Sequence, residues 1–208
     1  MNKLLLHPAT KPLLMLAAFG PLAWLLWGAI ANTLGPNPAE ALIRSSGDWV
    51  LRFLCATLAI TPLREWTGWS ALVRYRRLLG VSAFAYGLVH FLCYAWLDMS
   101  LDPLAIIQDI PKRPFILVGT LAMLLMAPLA ATSFNRAIRA LGAARWKRLH
   151  RLVYAIVLLA LLHFFWMRAA KQNFAEWSVY AAVVALLLGW RLQQAWRRRQ
   201  RTARLITA

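Results

Sequence analysis

The sequence predicts an all-α fold, a bundle of six membrane-spanning helices, and three observations predict it. Hydrophobic residues make up 61% of the 208 residues and the mean hydropathy is +0.56, whereas a soluble domain holds about 45–50% apolar residues. The same chain carries a formal net charge of +17, so charged and apolar residues must be segregated along it, as they are in loops and spans. Finally, the apolar residues fall into six runs, and spans of about 20 residues each use most of the chain. No length remains for a separate soluble catalytic domain, so residues 1–208 are read as a single transmembrane domain.

The first span is Pro12–Ala31. Lys3 and Lys11 precede it and Ala29-Ile30-Ala31 resembles a signal-peptidase site. The apolar stretch is longer than the usual signal core of about 7–15 residues, however, so it reads as a retained helix. Gly35-Pro36-Asn37-Pro38 then breaks the chain. The second span, Trp49–Leu63, is short, as is the last, Trp177–Trp190. Between them lie Leu78–Leu97, Phe115–Ala131 and Leu149–Met167, with Pro111-Lys112-Arg113-Pro114 breaking the chain before the fourth. Trp and Tyr cluster near span ends, as an interfacial belt requires. No internal repeat is visible. Cys55 and Cys93 both lie in apolar runs and form no Cys-x-x-Cys-His motif, which excludes covalent heme attachment of the c type and leaves buried, inert thiols.

Charge predicts orientation. With the N-terminus inside, the inner segments hold Lys3 and Lys11, then Arg64, Arg74, Arg76 and Arg77, then Arg136, Arg139, Arg145, Lys147, Arg148 and Arg151, and the tail adds Arg191, Arg197, Arg198, Arg199, Arg201 and Arg204. That is eighteen of the 24 basic residues, and by the positive-inside rule both termini are cytoplasmic, as in a bacterial inner membrane. The sequence pI near 11.5 invites a nucleic-acid reading. The basic residues sit instead where anionic inner-leaflet lipid lies, each worth about 1 kcal/mol there.

Two residues carry the functional reading. His90 and His163 each stand inside a run long enough to cross a membrane, where a histidine without a partner is costly and by default marks a site. At ~1.5 Å rise per residue they lie about 12 Å and about 8 Å from the outer ends of their helices. Both are in the outer half, where one heme iron between them is a b-type centre. Ala83, Gly87 and His90 share a helical face, and Ala160 stands one turn before His163. Small residues there admit a flat macrocycle; they also serve ordinary close helix packing. A proton relay through the same two histidines, in a transporter, is the rival reading. Filled axial positions favour electron transfer over oxygen binding.

His150 opens the fifth span at the inner edge, and a straight helix turns its side chain about 140° away from that of His163. It either holds a second, inner heme with a non-histidine partner, or serves where electrons enter, or is a wet interfacial histidine. His7, in a polar N-terminal segment, has no cofactor role. No phosphate-binding glycine loop, metal-spaced Cys/His cluster or catalytic triad is present, so no independent catalytic set is visible.

Gly35-Pro36-Asn37-Pro38-Ala39-Glu40, Thr61-Pro62-Leu63, Arg76-Arg77-Leu78-Leu79-Gly80, the His90 helix, Lys112-Arg113-Pro114, Ala131-Thr132-Ser133 and Trp146-Lys147-Arg148-Leu149-His150-Arg151-Leu152-Val153-Tyr154 occur in this order. Over nearly the whole chain they resemble the MsrQ (YedZ) family, the heme-binding membrane subunits of periplasmic protein-methionine-sulfoxide reductase systems. More distantly the chain resembles the transmembrane core of ferric reductases and NADPH oxidases. Those cores carry two histidines on each of two helices; this chain departs from them at Arg77, which leaves no second bis-histidine pair. The resemblance implies a b-type cytochrome that passes electrons to a periplasmic molybdopterin enzyme, MsrP, for repair of oxidised envelope proteins. It also implies a quinone pool or cytoplasmic flavin reductase as donor and an associated flavin mononucleotide (FMN). A self-contained ferric or quinone oxidoreductase is the alternative it leaves.

Overall fold

A computed structural model describes residues 2–169 and 172–206 of the chain. Met1, Ala170, Lys171, Thr207 and Ala208 lie outside the described residues, as does the side chain of Arg204 in the basic tail. The described residues form helices and no strand. In order these are α1 (Asn2–Leu6), α2 (Thr10–Ile30), α3 (Pro38–Thr67), a 3₁₀ segment Ser70–Tyr75 leading into α4 (Arg76–Cys93), a π-helical continuation Tyr94–Asp98, α5 (Pro103–Lys112), α6 (Pro114–Ala131), α7 (Asn135–Leu141), α8 (Ala143–His150), α9 (Val153–Ala169) and α10 (Ala175–Ile206).

The helix starts are written in the sequence. The Asn37 side chain accepts from the Glu40 amide at 3.1 Å, with Pro38 in the first helical position of α3. Asp102 does the same for α5, accepting from Leu104 N at 2.9 Å and Ala105 N at 3.2 Å ahead of Pro103. The segment between the third and fourth spans is therefore a short amphipathic helix rather than a plain connection. The short apolar windows Trp49–Leu63 and Trp177–Trp190 sit inside longer helices, because α3 and α10 continue as helix through charged residues at their ends.

Five helical stretches are long and apolar enough to cross a membrane: Thr10–Ile30, Ser70–Asp98, Pro114–Ala131, Ala143–Ala169 and Ala175–Thr202. The sixth long helix is α3, which carries Arg44, Asp48 and Arg52 in its first half. Arg44 pairs with Glu40 and Arg52 donates to the Tyr180 hydroxyl at 3.1 Å, while the opposite side of the helix is central. Leu51, Leu54, Leu58 and Ile60 are buried, and α3 packs against α4 above all and also against α2, α9 and α10. The second tight pair is α6 with α9. The chain is an integral membrane protein, and exposed Trp24, Trp27, Leu124 and Leu186 are its lipid-facing surface.

Prolines inside spanning helices strip a backbone bond from the ladder, and lipid offers no water to replace it. At Pro62 a neighbouring side chain does so, and at Pro21 one bridges the adjoining rung of the helix. Pro62 has no N–H for the Leu58 carbonyl, four residues earlier on α3; the Arg191 guanidinium of α10 donates to that carbonyl. Beside Pro21 on α2, the Tyr86 hydroxyl of α4 accepts from Leu22 N at 3.0 Å and donates to Ala18 O at 2.8 Å. Tyr86 is wholly buried, with its ring against Phe53 at 5.3 Å and Trp49 at 6.1 Å.

Candidate functional site: a paired-histidine cavity

His90 on α4 and His163 on α9 face each other across a cavity of about 460 Å³, their ring centroids 6.0 Å apart and their planes at 85°. Each ring is held from behind. The Nδ1 of His90 bonds the Ile43 carbonyl of α3 at 2.8 Å, with the Ser46 hydroxyl at 3.5 Å. The Nδ1 of His163 bonds the Phe115 carbonyl of α6 at 2.6 Å. A carbonyl only accepts, so each Nδ1 carries the proton and donates, and each Nε2 is left as a lone-pair atom.

This arrangement fits an iron porphyrin. Metal-ligating histidines characteristically donate their other ring N–H to a backbone carbonyl or carboxylate. With a metal–imidazole bond of about 2 Å and a ring centre about 1 Å behind its nitrogen, two rings sharing one iron stand about 6 Å apart. The cavity size lies within the range of about 300–1,000 Å³ typical of cofactor sites. Its walls are apolar over much of their area, with Val50, Leu51, Met123, Met126 and Phe164 among them, and also carry Glu40, Arg44, Asp48, Asp98, Arg113 and Arg168. A macrocycle with an apolar body and two carboxylate arms matches that division.

The small residues near the histidines divide. Gly87 and Ala160 line the cavity, whereas Ala83 is fully buried in the packing core and contributes nothing to the lining. Two glycines that the sequence did not single out lie closer. A Cβ on Gly47 would stand 3.0 Å from His90 Cε1 and 3.1 Å from its Nδ1; a Cβ on Gly119 would stand 2.8 Å from His163 Nδ1 and 3.0 Å from its Cε1. The only signal for them in the sequence is a shared spacing, a glycine four residues after each carbonyl that holds a histidine.

Two of the lining arginines are held by ion pairs. Asp109 of α5 accepts from Arg113 Nε at 2.9 Å and from the Tyr94 hydroxyl at 2.7 Å. Its bond to Arg113 holds its carboxyl below the usual 3.8. Arg168 is buried beneath the Phe164 ring and pairs with Glu176, while its Nε has no partner.

His150 is not brought to this cavity. Its ring stacks on Trp146 at 3.9 Å and its Nε2 lies 3.1 Å from the Thr132 hydroxyl, while Trp146 Nε1 donates to the Thr132 carbonyl at 2.9 Å. Arg77 donates to Asn135 Oδ1 at 2.9 Å, tying α4 to α7. His7 is exposed and accepts from Ala9 N at 3.2 Å. Cys55 and Cys93 are free thiols.

Residues 46–161, which run from within α3 through α4 and α6 into the first half of α9 and stop two residues short of His163, match the family model described as "Ferric reductase like transmembrane component". The chain is also similar to several curated proteins named "Protein-methionine-sulfoxide reductase heme-binding subunit MsrQ". The one from Polaromonas naphthalenivorans is 58% identical over 96% of this chain and 91% of its own length. Those from Bordetella pertussis and Xanthomonas euvesicatoria are 53% and 43% identical, over 91% and 96% of this chain and 91% and 93% of their own lengths. No solved structure matches.

Proposed function

The chain belongs to the MsrQ family of heme-binding subunits, within the ferric-reductase-like transmembrane proteins, and on that premise we propose that it is a b-type cytochrome with His90 and His163 as the axial ligands of one heme iron. The observation that carries the assignment is the pair of rings 6.0 Å apart, each with Nδ1 committed to a backbone carbonyl. The heme supplies one-electron chemistry at the iron. The chain's own residues do the rest. Ile43 and Phe115 fix the tautomer and aim of the imidazoles, and with both histidines holding the iron no position would be left for an oxygen ligand, which favours electron transfer. Arg113 and Arg168 line the cavity and would meet the propionates beside their partners Asp109 and Glu176.

The relatives' name assigns them to a protein-methionine-sulfoxide reductase system. We assign this chain the same task. Electrons pass to a periplasmic MsrP-like molybdopterin subunit that repairs oxidised envelope proteins. The protein sits in the bacterial inner membrane with both termini cytoplasmic. Its basic face receives electrons from a cytoplasmic flavin source, including a bound FMN, or from quinol in the bilayer. The alternation of Lys and Arg supports this orientation, and the histidine pair then lies in the outer half, toward the acceptor. His150, stacked on Trp146 near that basic face, is positioned for electron entry or an inner heme.

A proton relay through the two histidines is the weaker reading. A relay needs the ring N–H free to pass its proton on, and both are engaged by backbone carbonyls. An optical and redox study of the purified protein tests the assignment. The parent should show a reduced b-type spectrum with six-coordinate iron, and His90→Ala and His163→Ala should each lose most heme while remaining in the membrane. A colourless parent removes the carrier, and a variant that keeps a full complement of six-coordinate heme removes that ligand.

A further inference from the structure

The two histidines are held by one device used twice. On α3 the carbonyl of Ile43 accepts from His90, and four residues on, Gly47 stands against the same ring. On α6 the carbonyl of Phe115 accepts from His163, and four residues on, Gly119 lies against that ring. One helical turn separates the carbonyl from the glycine in each case, so both belong to the same helix face. The residue at the glycine therefore decides whether the imidazole can lie close enough for its Nδ1 to reach the carbonyl.

Other glycines give the contrast. A Cβ added at Gly80 or Gly189 would meet nothing within 4 Å. At Gly47 and Gly119 it would come to 3.1 Å or less from two atoms of a histidine ring. An imidazole hydrogen-bonded at one edge cannot retreat without losing that bond or swinging about its χ2. Either movement changes what Nε2 presents to the cavity.

We propose that Gly47 and Gly119 are positioning residues of a duplicated ligand clamp: each lets one axial imidazole lie against the helix behind it, and together they hold the two ring planes at right angles. The inference rests on His90 and His163 being the iron ligands. It adds that the ring planes, and through them the electronic state of the iron, are set by two side chains that are absent. Rings at right angles leave the two iron d orbitals of π type nearly equal in energy, which gives a low-spin ferric centre a strongly anisotropic paramagnetic resonance signal with its first feature at very low field. Parallel rings split those orbitals and draw the feature to higher field.

The test uses the full chain in detergent, loaded with heme. The parent should give the strongly anisotropic signal. Gly47→Ala and Gly119→Ala should each shift the low-field feature to higher field, change the midpoint potential, and weaken heme binding by about 10-fold, the lower end of what losing an outer partner of a metal ligand costs. Gly189→Ala should match the parent in all three. The proposal is overturned if the parent shows the signal of near-parallel rings, a measurement that needs no variant to fold. It is overturned equally if both glycine variants keep the parental resonance, potential and affinity. Should His90→Ala or His163→Ala keep six-coordinate heme, the ligand assignment fails instead, and that outcome is distinct because the glycine variants need not be made to see it.

Discussion

Replacing Tyr86 by Phe removes one oxygen atom from the centre of the bundle and should be felt through two helices. The hydroxyl bridges Leu22 N at 3.0 Å and Ala18 O at 2.8 Å, at the turn where Pro21 already interrupts α2. Phenylalanine keeps the ring packing against Phe53 and Trp49, so the change isolates the polar contribution. Two hydrogen bonds are lost, each worth about 0.5–1.5 kcal/mol net; bonds between membrane helices average about 0.6. The loss should come to about 2 kcal/mol, towards the upper part of that range because Tyr86 is 0% exposed and water cannot substitute. For a chain of this size 1 kcal/mol moves the melting temperature by about 2–4 °C, so the variant should melt about 4–8 °C lower. Thermal unfolding in detergent, followed by circular dichroism, measures this. At low temperature the heme spectrum should be unchanged, because the hydroxyl reaches α2 and not the cavity. A melting point equal to the parent's would refute the idea that the hydroxyl braces the rung of α2 beside Pro21. Loss of heme from a fully helical variant would show that Tyr86 acts on the site.

Arg191→Met should destabilise the bundle by about 1–3 kcal/mol, since it strips the Leu58 carbonyl of the donor that stands in for the missing N–H of Pro62. In a Pro62→Ala background, which returns that N–H, the same substitution should cost measurably less, and a double-mutant cycle with no coupling would contradict the pairing. His150→Ala should leave the spectrum of the His90–His163 heme intact and slow reduction from the basic side at most. Loss of all heme in that variant would make His150 a primary ligand. Reporter fusions after Ala208 and within Leu101–Gln108 should place the C-terminus in the cytoplasm and the α5 region in the periplasm; a periplasmic C-terminus would invert the direction of electron flow and exclude direct delivery to a periplasmic reductase.

What could be read in the sequence was whatever costs free energy in lipid. A histidine at span depth is conspicuous because hydrocarbon penalises it, and the two so marked are the two that the fold brings face to face. His150 was ambiguous for the same reason: at a span end the penalty fades, and its partners Thr132 and Trp146 are ordinary interfacial residues. Helix α3 was legible only as a short apolar window. The helix nevertheless continues over Pro38–Thr67, with Arg44 paired to Glu40 and Arg52 donating to Tyr180.

The glycines show what single-residue reasoning leaves out. Gly47 and Gly119 carry no charge or donor, and glycine is common wherever membrane helices pack closely. Their role exists only in relation to a ring on another helix, 43 and 44 residues further along. No repeat is visible in the sequence, where the two sets share only the spacing of carbonyl and glycine. On the proposed ligation, the geometry repeats because each imidazole aiming Nε2 at a shared iron would need an acceptor behind Nδ1 and bare backbone against its ring. A carbonyl and a glycine one turn apart on a packed helix supply both, and each side of the iron requires its own set. The constraint is therefore on three positions per helix pair, and a repeat carried by so few residues becomes visible only when the two helix pairs are assembled around one cavity.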